Sequence, residues 1–167
     1  MRSIDATLDV VHLSDFNPSL SQTSTPDWLL MRTAASAGFD ALVTRDFAQS
    51  KQLLEMYVLS RLRGFVVVTW RKQIGDAITE WGQLLAYLPL IKKKLLDPAY
   101  SGSPGQIILL PNPTLGSGNF ITPRDTIGRY ATDHGISHKQ ALTEATLEIE
   151  EWLKLAGFGA EDFADIL

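Results

Sequence analysis

The chain has 167 residues, a hydrophobic fraction of 45%, a charged fraction of 20% and a net charge of −4. These values suit one compact domain, or one domain with an appendage. With no cysteine, disulfides, thiolate zinc sites and iron–sulfur clusters are excluded. No apolar run approaches the roughly 20 residues a membrane span needs, and Met1-Arg2-Ser3-Ile4-Asp5 lacks the apolar stretch of a signal peptide. A cytoplasmic protein with no membrane partner is therefore expected. The charge is uneven: residues 1–98 balance to +1 and residues 99–167 to −5. An acidic tail beside a near-neutral body can shield a polyanion-binding face, or it can simply be a solvated helix.

Thr7 to Leu13 reads as a strand with β-branched residues at its centre. A Ser-, Thr-, Asn- and Pro-rich loop follows, from Ser14 to Thr25. Thr25-Pro26 opens a helix, with threonine as N-cap and proline at the first helical position. Leu29, Leu30, Thr33, Ala34 and Ala37 form its apolar face, and Gly38 ends it. Ala41 to Thr44 is a short apolar run with polar flanks, the pattern of a buried parallel strand. A second helix is expected over Lys51–Arg63, with Leu54, Val58 and Leu62 inward.

Phe65 to Trp70 is the clearest strand. The third helix begins at Asp76, with Ile78, Trp81, Leu85 and Leu88 as its stripe and Pro89 as a kink. Lys92-Lys93-Lys94 lies in its last turn, where cations suit the helix dipole. Gln106 to Leu110 is a further strand. Strand and helix thus alternate, which predicts an α/β fold with a parallel, doubly wound, Rossmann-like sheet. The Gly-, Pro- and Asn-rich segment 111–123 reads as a linker between a 1–110 domain and a helical extension over 124–167. In that extension Ser137 to Gln140 has the form of a capping box. Ala141, Ala145, Ile149, Trp152 and Leu153 share one side of the helix, and Gly157 stops it. The extension can pack on the domain or on a second subunit of a homodimer.

Two carboxylates stand out. Asp27 lies in the first turn of its helix and Asp46 just beyond a strand end. In a parallel sheet, strand carboxyl ends and the amino ends of the helices that follow share one rim, where ligands bind. If the 14–25 loop carries its helix back to that rim, both acids meet there. Clustered carboxylates repel unless a cation neutralises them, and magnesium or manganese favours such an all-oxygen site. Glu55 is the third candidate. The plainer roles are dipole pairing for Asp27, an N-cap for Asp46 and a solvated helix position for Glu55. Arg45, Arg61, Arg63, Arg71 and Lys72 form a candidate phosphate-contacting rim, or scattered surface charge. His12 ends the first strand, where a structural role is expected, and His134 and His138 lie in the tail with no partner at ligand spacing. No Gly-rich phosphate loop, nucleophile elbow or dinucleotide fingerprint occurs.

Val10-Val11-His12-Leu13-Ser14-Asp15-Phe16, then Thr25-Pro26-Asp27-Trp28-Leu29, then Gly38 to Asp46 resembles the PIN-like domains related to VapC-type toxins, over roughly residues 7–110. The resemblance implies a magnesium- or manganese-dependent ribonuclease in which Asp27 and Asp46 hold the metal and Glu55 matches a less regular acidic position. It implies RNA as substrate, with Arg45, Arg71 and Lys72 as the cations nearest the motif. It also implies the toxin of a toxin–antitoxin pair, with an antitoxin or other protein as partner. Members of that family open on a strand bearing a first aspartate, followed by a helix, whereas this sequence begins at about the end of that helix. Three accounts compete: a truncated sequence, a catalytically degenerate module that binds RNA or a partner protein, or a missing element supplied by another chain.

Overall fold

The computed structural model describes residues 9–21, 25–71, 77–110 and 119–167, the side chains of residues 119 and 120 excepted. Thr7, Leu8, Lys72, Asp76 and residues 111–118 lie outside the described residues. The elements run α1 (Leu13–Phe16), a 3-10 turn (Pro18–Ser21), α2 (Asp27–Ser36), β1 (Ala41–Val43), a 3-10 turn (Ala48–Lys51), α3 (Leu53–Arg61), β2 (Val66–Trp70), α4 (Ala77–Leu95) and α5 (Pro98–Ser101). They continue with β3 (Gln106–Leu110), β4 (Asn119–Ile121), α6 (Pro123–Asp133), α7 (His138–Ala156) and a last 3-10 turn (Ala160–Phe163).

The fold is mixed α/β. The sheet has the order β1-β2-β3-β4. The first three strands are parallel and in register, with Leu42 opposite Val67 and Val67 opposite Ile107. β4 pairs antiparallel with β3, so part of the stretch read as a linker belongs to the sheet. Successive strand residues point to opposite faces, and the core divides accordingly. On one face Val67, Ile107 and Leu109 pack with Trp28, Met31, Met56, Leu59, Ile127, Ala145 and Ile149. On the other Val66, Val68, Trp70, Ile108 and Leu110 pack with Leu84, Ile91 and Tyr100. The α3 connection thus covers one face and the α4 connection the other, while both step the same way across the sheet. The two crossovers therefore have opposite hand, against a strong general preference for right-handed ones.

Four expectations require correction. Over its described part the first strand does not form: residues 9–12 are irregular, Val10 and Val11 are exposed, and His12 caps α1. Among the described residues no strand pairs with it. In α2 the buried residues are Trp28, Met31 and Ala34, because the large indole rather than Leu30 is drawn into the core. In place of one helix over Lys51–Arg63 there is a 3-10 turn and then α3, which buries Leu53, Glu55, Met56, Tyr57, Val58 and Leu59. A helix apolar nearly all round is one surrounded by protein. In α4 the expected stripe is turned outward: Ile78, Trp81 and Leu85 are exposed. The buried residues are Glu80, Gln83, Leu84 and Ile91. This helix carries two apolar stripes, and Leu84 and Ile91, seven residues apart, fit the sheet. The Arg45–Glu80 pair, 2.9 Å, favours the same rotation. α4 runs through Pro89 without ending.

The C-terminal helices are part of the main core. Trp28 of α2 meets Trp152 of α7 edge-on at 5.1 Å and Phe163 at 6.3 Å. The Ser137–Gln140 capping box forms, and Gly157 ends α7 with φ +77°. Arg32 lies 4.2 Å from the Phe163 ring and 2.7 Å from Asp165. Gly105 marks the tightest backbone approach: a Cβ there would lie 2.6 Å from the Leu59 carbonyl oxygen. Gly105→Ala should cost about 1–3 kcal/mol, the range of core overpacking, measured by urea unfolding. A loss under about 0.5 kcal/mol, the size of a neutral surface change, would contradict this packing.

Candidate metal-binding edge

Three elements converge at the carboxyl end of β1. α2 runs back along β1 through a tight turn, in which Gly38 has φ +86° and Phe39 N–H donates to the Ala34 carbonyl at 3.1 Å. The amino end of α2, with Asp27 as its first residue, is thereby returned to the rim where β1 finishes. Asp46 follows three residues beyond β1. The 3-10 turn then leads into α3, whose third residue is Glu55. Two helix amino ends face this rim, and their dipoles favour negative charge there.

The electrostatics report the same convergence. The Asp27 carboxyl is pushed above the ordinary carboxylate range by burial and then by the Asp46 charge, while a hydrogen bond from Gln49 opposes the rise. Glu55 is pushed up from 4.5 to about 7, chiefly by burial, with the charges of Asp27, Glu148 and Asp46 adding to it. The three acids singled out in the sequence therefore lie within electrostatic reach of one another. Coulombic influence reaches farther than coordination does: among the described residues no three His, Asp or Glu side chains are grouped closely enough to hold an ion as they stand. The donor set is nonetheless all oxygen, the chemistry of a hard dication. Magnesium keeps several of its waters and takes one or two carboxylates from a protein, the type of donor that Asp27 and Asp46 supply.

Each acid also has a local role. Asp46 Oδ1 accepts from Ala48 N–H at 2.7 Å, opening the 3-10 turn. With its amide nitrogen turned toward Glu55, Gln52 lies 3.0 Å and 3.2 Å from the two carboxylate oxygens, as an N-cap partner of α3.

The cations are distributed unevenly. Arg45 is bidentate on the buried Glu80, 2.9 Å and 3.2 Å. Arg71 is exposed just past the carboxyl end of β2, on the rim shared with Asp46, and Lys72 lies outside the described residues. Arg61 and Arg63 sit at the far end of α3, the first against Tyr57 at 3.3 Å and the second on the Gly102 carbonyl at 3.0 Å. Nine residues of helix, about 13 Å, separate that end from Glu55's. Two of the described histidines have structural contacts: His12 Nδ1 with Ser14 Oγ at 2.7 Å, and His134 Nδ1 with the Tyr130 carbonyl at 2.9 Å.

Sequence reasoning missed Gln49, Gln52 and Glu148. A glutamine carries no charge to draw notice, and Glu148 stands on the extension, whose docking beside α3 has no local sequence signal. Comparison of the chain with family models, with curated proteins and with solved structures found no match in any of the three.

Proposed function

We propose that this chain is a magnesium- or manganese-dependent endoribonuclease of the PIN-like class, built on a doubly wound sheet of that type. The supporting observation is the mutual electrostatic influence of Asp27, Asp46 and Glu55 at the carboxyl end of a parallel strand. Asp27 and Asp46 hold the ion. Bound there, it supplies charge stabilisation at the phosphoryl group and a more acidic water. Glu55, with its carboxyl near neutrality, is suited to exchange a proton at the working pH. Arg71, beyond the end of β2, meets backbone phosphates of the RNA, with Lys72 next to it in sequence and Arg45 just past the end of β1. An antitoxin covering this rim is the partner that a toxin role implies, and the cytoplasm is where such an RNA would be met.

Purified protein incubated with single-stranded RNA and manganese should cleave it, and Asp46→Asn should reduce cleavage to background. Cleavage that survives this substitution contradicts the proposal. Manganese binding without any cleavage by the unaltered chain would favour a degenerate module that binds RNA or a partner protein.

A further inference from the structure

α4 turns one side to solvent, and that side is apolar for most of its length. Ile78 is 87% exposed, Trp81 46% and Leu85 40%. Gly82, Ala86 and Pro89 are exposed beside them, and Leu88 is half-buried. At about 3.6 residues per turn, Ile78, Gly82, Leu85 and Pro89 fall on one line along the helix. Trp81 and Leu88 lie on one flank of that line and Ala86 on the other. From Ala77 to Ile91 the sequence holds a single charged residue, Glu80, which is buried and paired with Arg45. A surface helix ordinarily turns charged residues to water, and a contiguous exposed apolar patch marks an interaction site.

The order of large and small side chains fits a second copy of the same face. Set two α4 helices antiparallel about a two-fold axis, with residues 78 and 89 opposite each other. Ile78 then meets Pro89 of the second copy, Leu85 meets its Gly82, and Trp81 lies along its Leu88 on their common flank. Leu85 needs a gap to enter, and Gly82 provides one: a Cβ built there would meet nothing within 4 Å. The antiparallel order also carries Lys92, Lys93 and Lys94 of the two copies to opposite ends and opposes the helix dipoles. A parallel pair would bring both sets of lysines together. A lipid surface would select cations along the margins of the apolar stripe, whereas these lysines lie beyond its end, Lys94 at 4.5 Å from the Tyr100 ring.

We propose that α4 pairs antiparallel with α4 of a second copy of this chain, along the line of Ile78, Gly82, Leu85 and Pro89. A two-fold contact of this kind needs only one patch per copy. It spans about 17 Å of helix, a small interface, so the dimer is weak and reversible. The inference does not depend on the metal reading.

Sedimentation equilibrium of the full chain, from micromolar to millimolar concentration, should show monomer passing to dimer. Gly82→Leu keeps the face apolar but fills the gap. Its melting temperature should hold or rise, because the gap is open in the monomer and glycine is a poor helix residue. It should weaken the dimer about 10-fold or more, as overpacking a contact does. Leu85→Glu, at a site already 40% exposed, should abolish the dimer. Dimerisation that Gly82→Leu strengthens or leaves unchanged overturns the inference, because the copies would then associate without this fit. An unaltered chain that stays monomeric overturns it as well. If that monomer floats with phosphatidylserine vesicles, the face belongs to a lipid surface; if it does not, the face belongs to a foreign protein. Should Leu85→Glu fail to fold, Gly82→Leu decides alone.

Discussion

Trp28→Ala should destabilise the protein by about 3–5 kcal/mol, the cost of emptying a large aromatic site in a core. Trp28 is 1% exposed and stands where α2, α7 and the last 3-10 turn meet. Its edge-on contacts with Trp152 and Phe163, at 5.1 Å and 6.3 Å, would be lost together. Neighbouring rings cannot refill so large a volume without moving α7 away from α2. The ion pair between these regions, Arg32 with Asp165 at 2.7 Å, is half-exposed and is worth about 0–1 kcal/mol at most. Packing therefore decides how the C-terminal helices are held, and the ion pair adds direction. Urea denaturation measures the loss, and hydrogen exchange should show residues 138–167 opening first. A loss below about 1 kcal/mol would mean that α7 does not depend on α2.

Glu55→Gln should stabilise the metal-free protein at pH 8 and do little at pH 4. The carboxyl titrates near 4.5 when the chain is unfolded and near 7 when folded. Below 4.5 it is protonated in both states and imposes no penalty. As pH rises from 4.5 through 7, the folded state holds a proton that the unfolded state has released, so stability falls across that window and levels off above it. At about 1.4 kcal/mol per pH unit, the separation between 4.5 and about 7 corresponds to about 3 kcal/mol. Glutamine resembles the protonated acid and keeps the packing of α3, so it should recover that amount only at the alkaline end. Manganese should flatten the same slope in the unaltered chain. Urea midpoints from pH 4 to pH 8 measure the effect, and a Glu55→Gln gain equal at both ends would show that Glu55 titrates as an ordinary surface acid.

Short apolar runs revealed β1, β2 and β3; β2 and β3 are buried on both faces, which leaves that mark whatever surrounds them, whereas β1, expected to be buried, is a half-buried edge strand with Val43 exposed. Glycines at 38 and 157 and the Ser137–Gln140 box located helix ends for equally local reasons. Facing was another matter. α4 carries two apolar stripes, and nothing within the helix says that Leu84 and Ile91 rather than Trp81 and Leu85 will meet the sheet. The choice is made by β2, β3 and the Arg45–Glu80 pair, all distant in sequence. Val10-Val11 looks like a strand but pairs with none among the described residues, and tertiary context overrides propensity there. At the candidate site Asp27 and Asp46 were visible through their places at a helix start and a strand end. Glu148 reaches Glu55 only through the docking of α7, and Gln49 is notable only because folding orphans one of its oxygens.

The central claim is that Asp27 and Asp46 share one hard dication. The most direct measurement is calorimetric titration of manganese into the full chain beside Asp27→Asn and Asp46→Asn, at a pH where both acids are ionised. The account predicts one ion per chain for the unaltered protein and loss of that binding in each variant, with the folded state retained by circular dichroism. Binding that is undiminished in either variant, or absent from the unaltered chain, would contradict it.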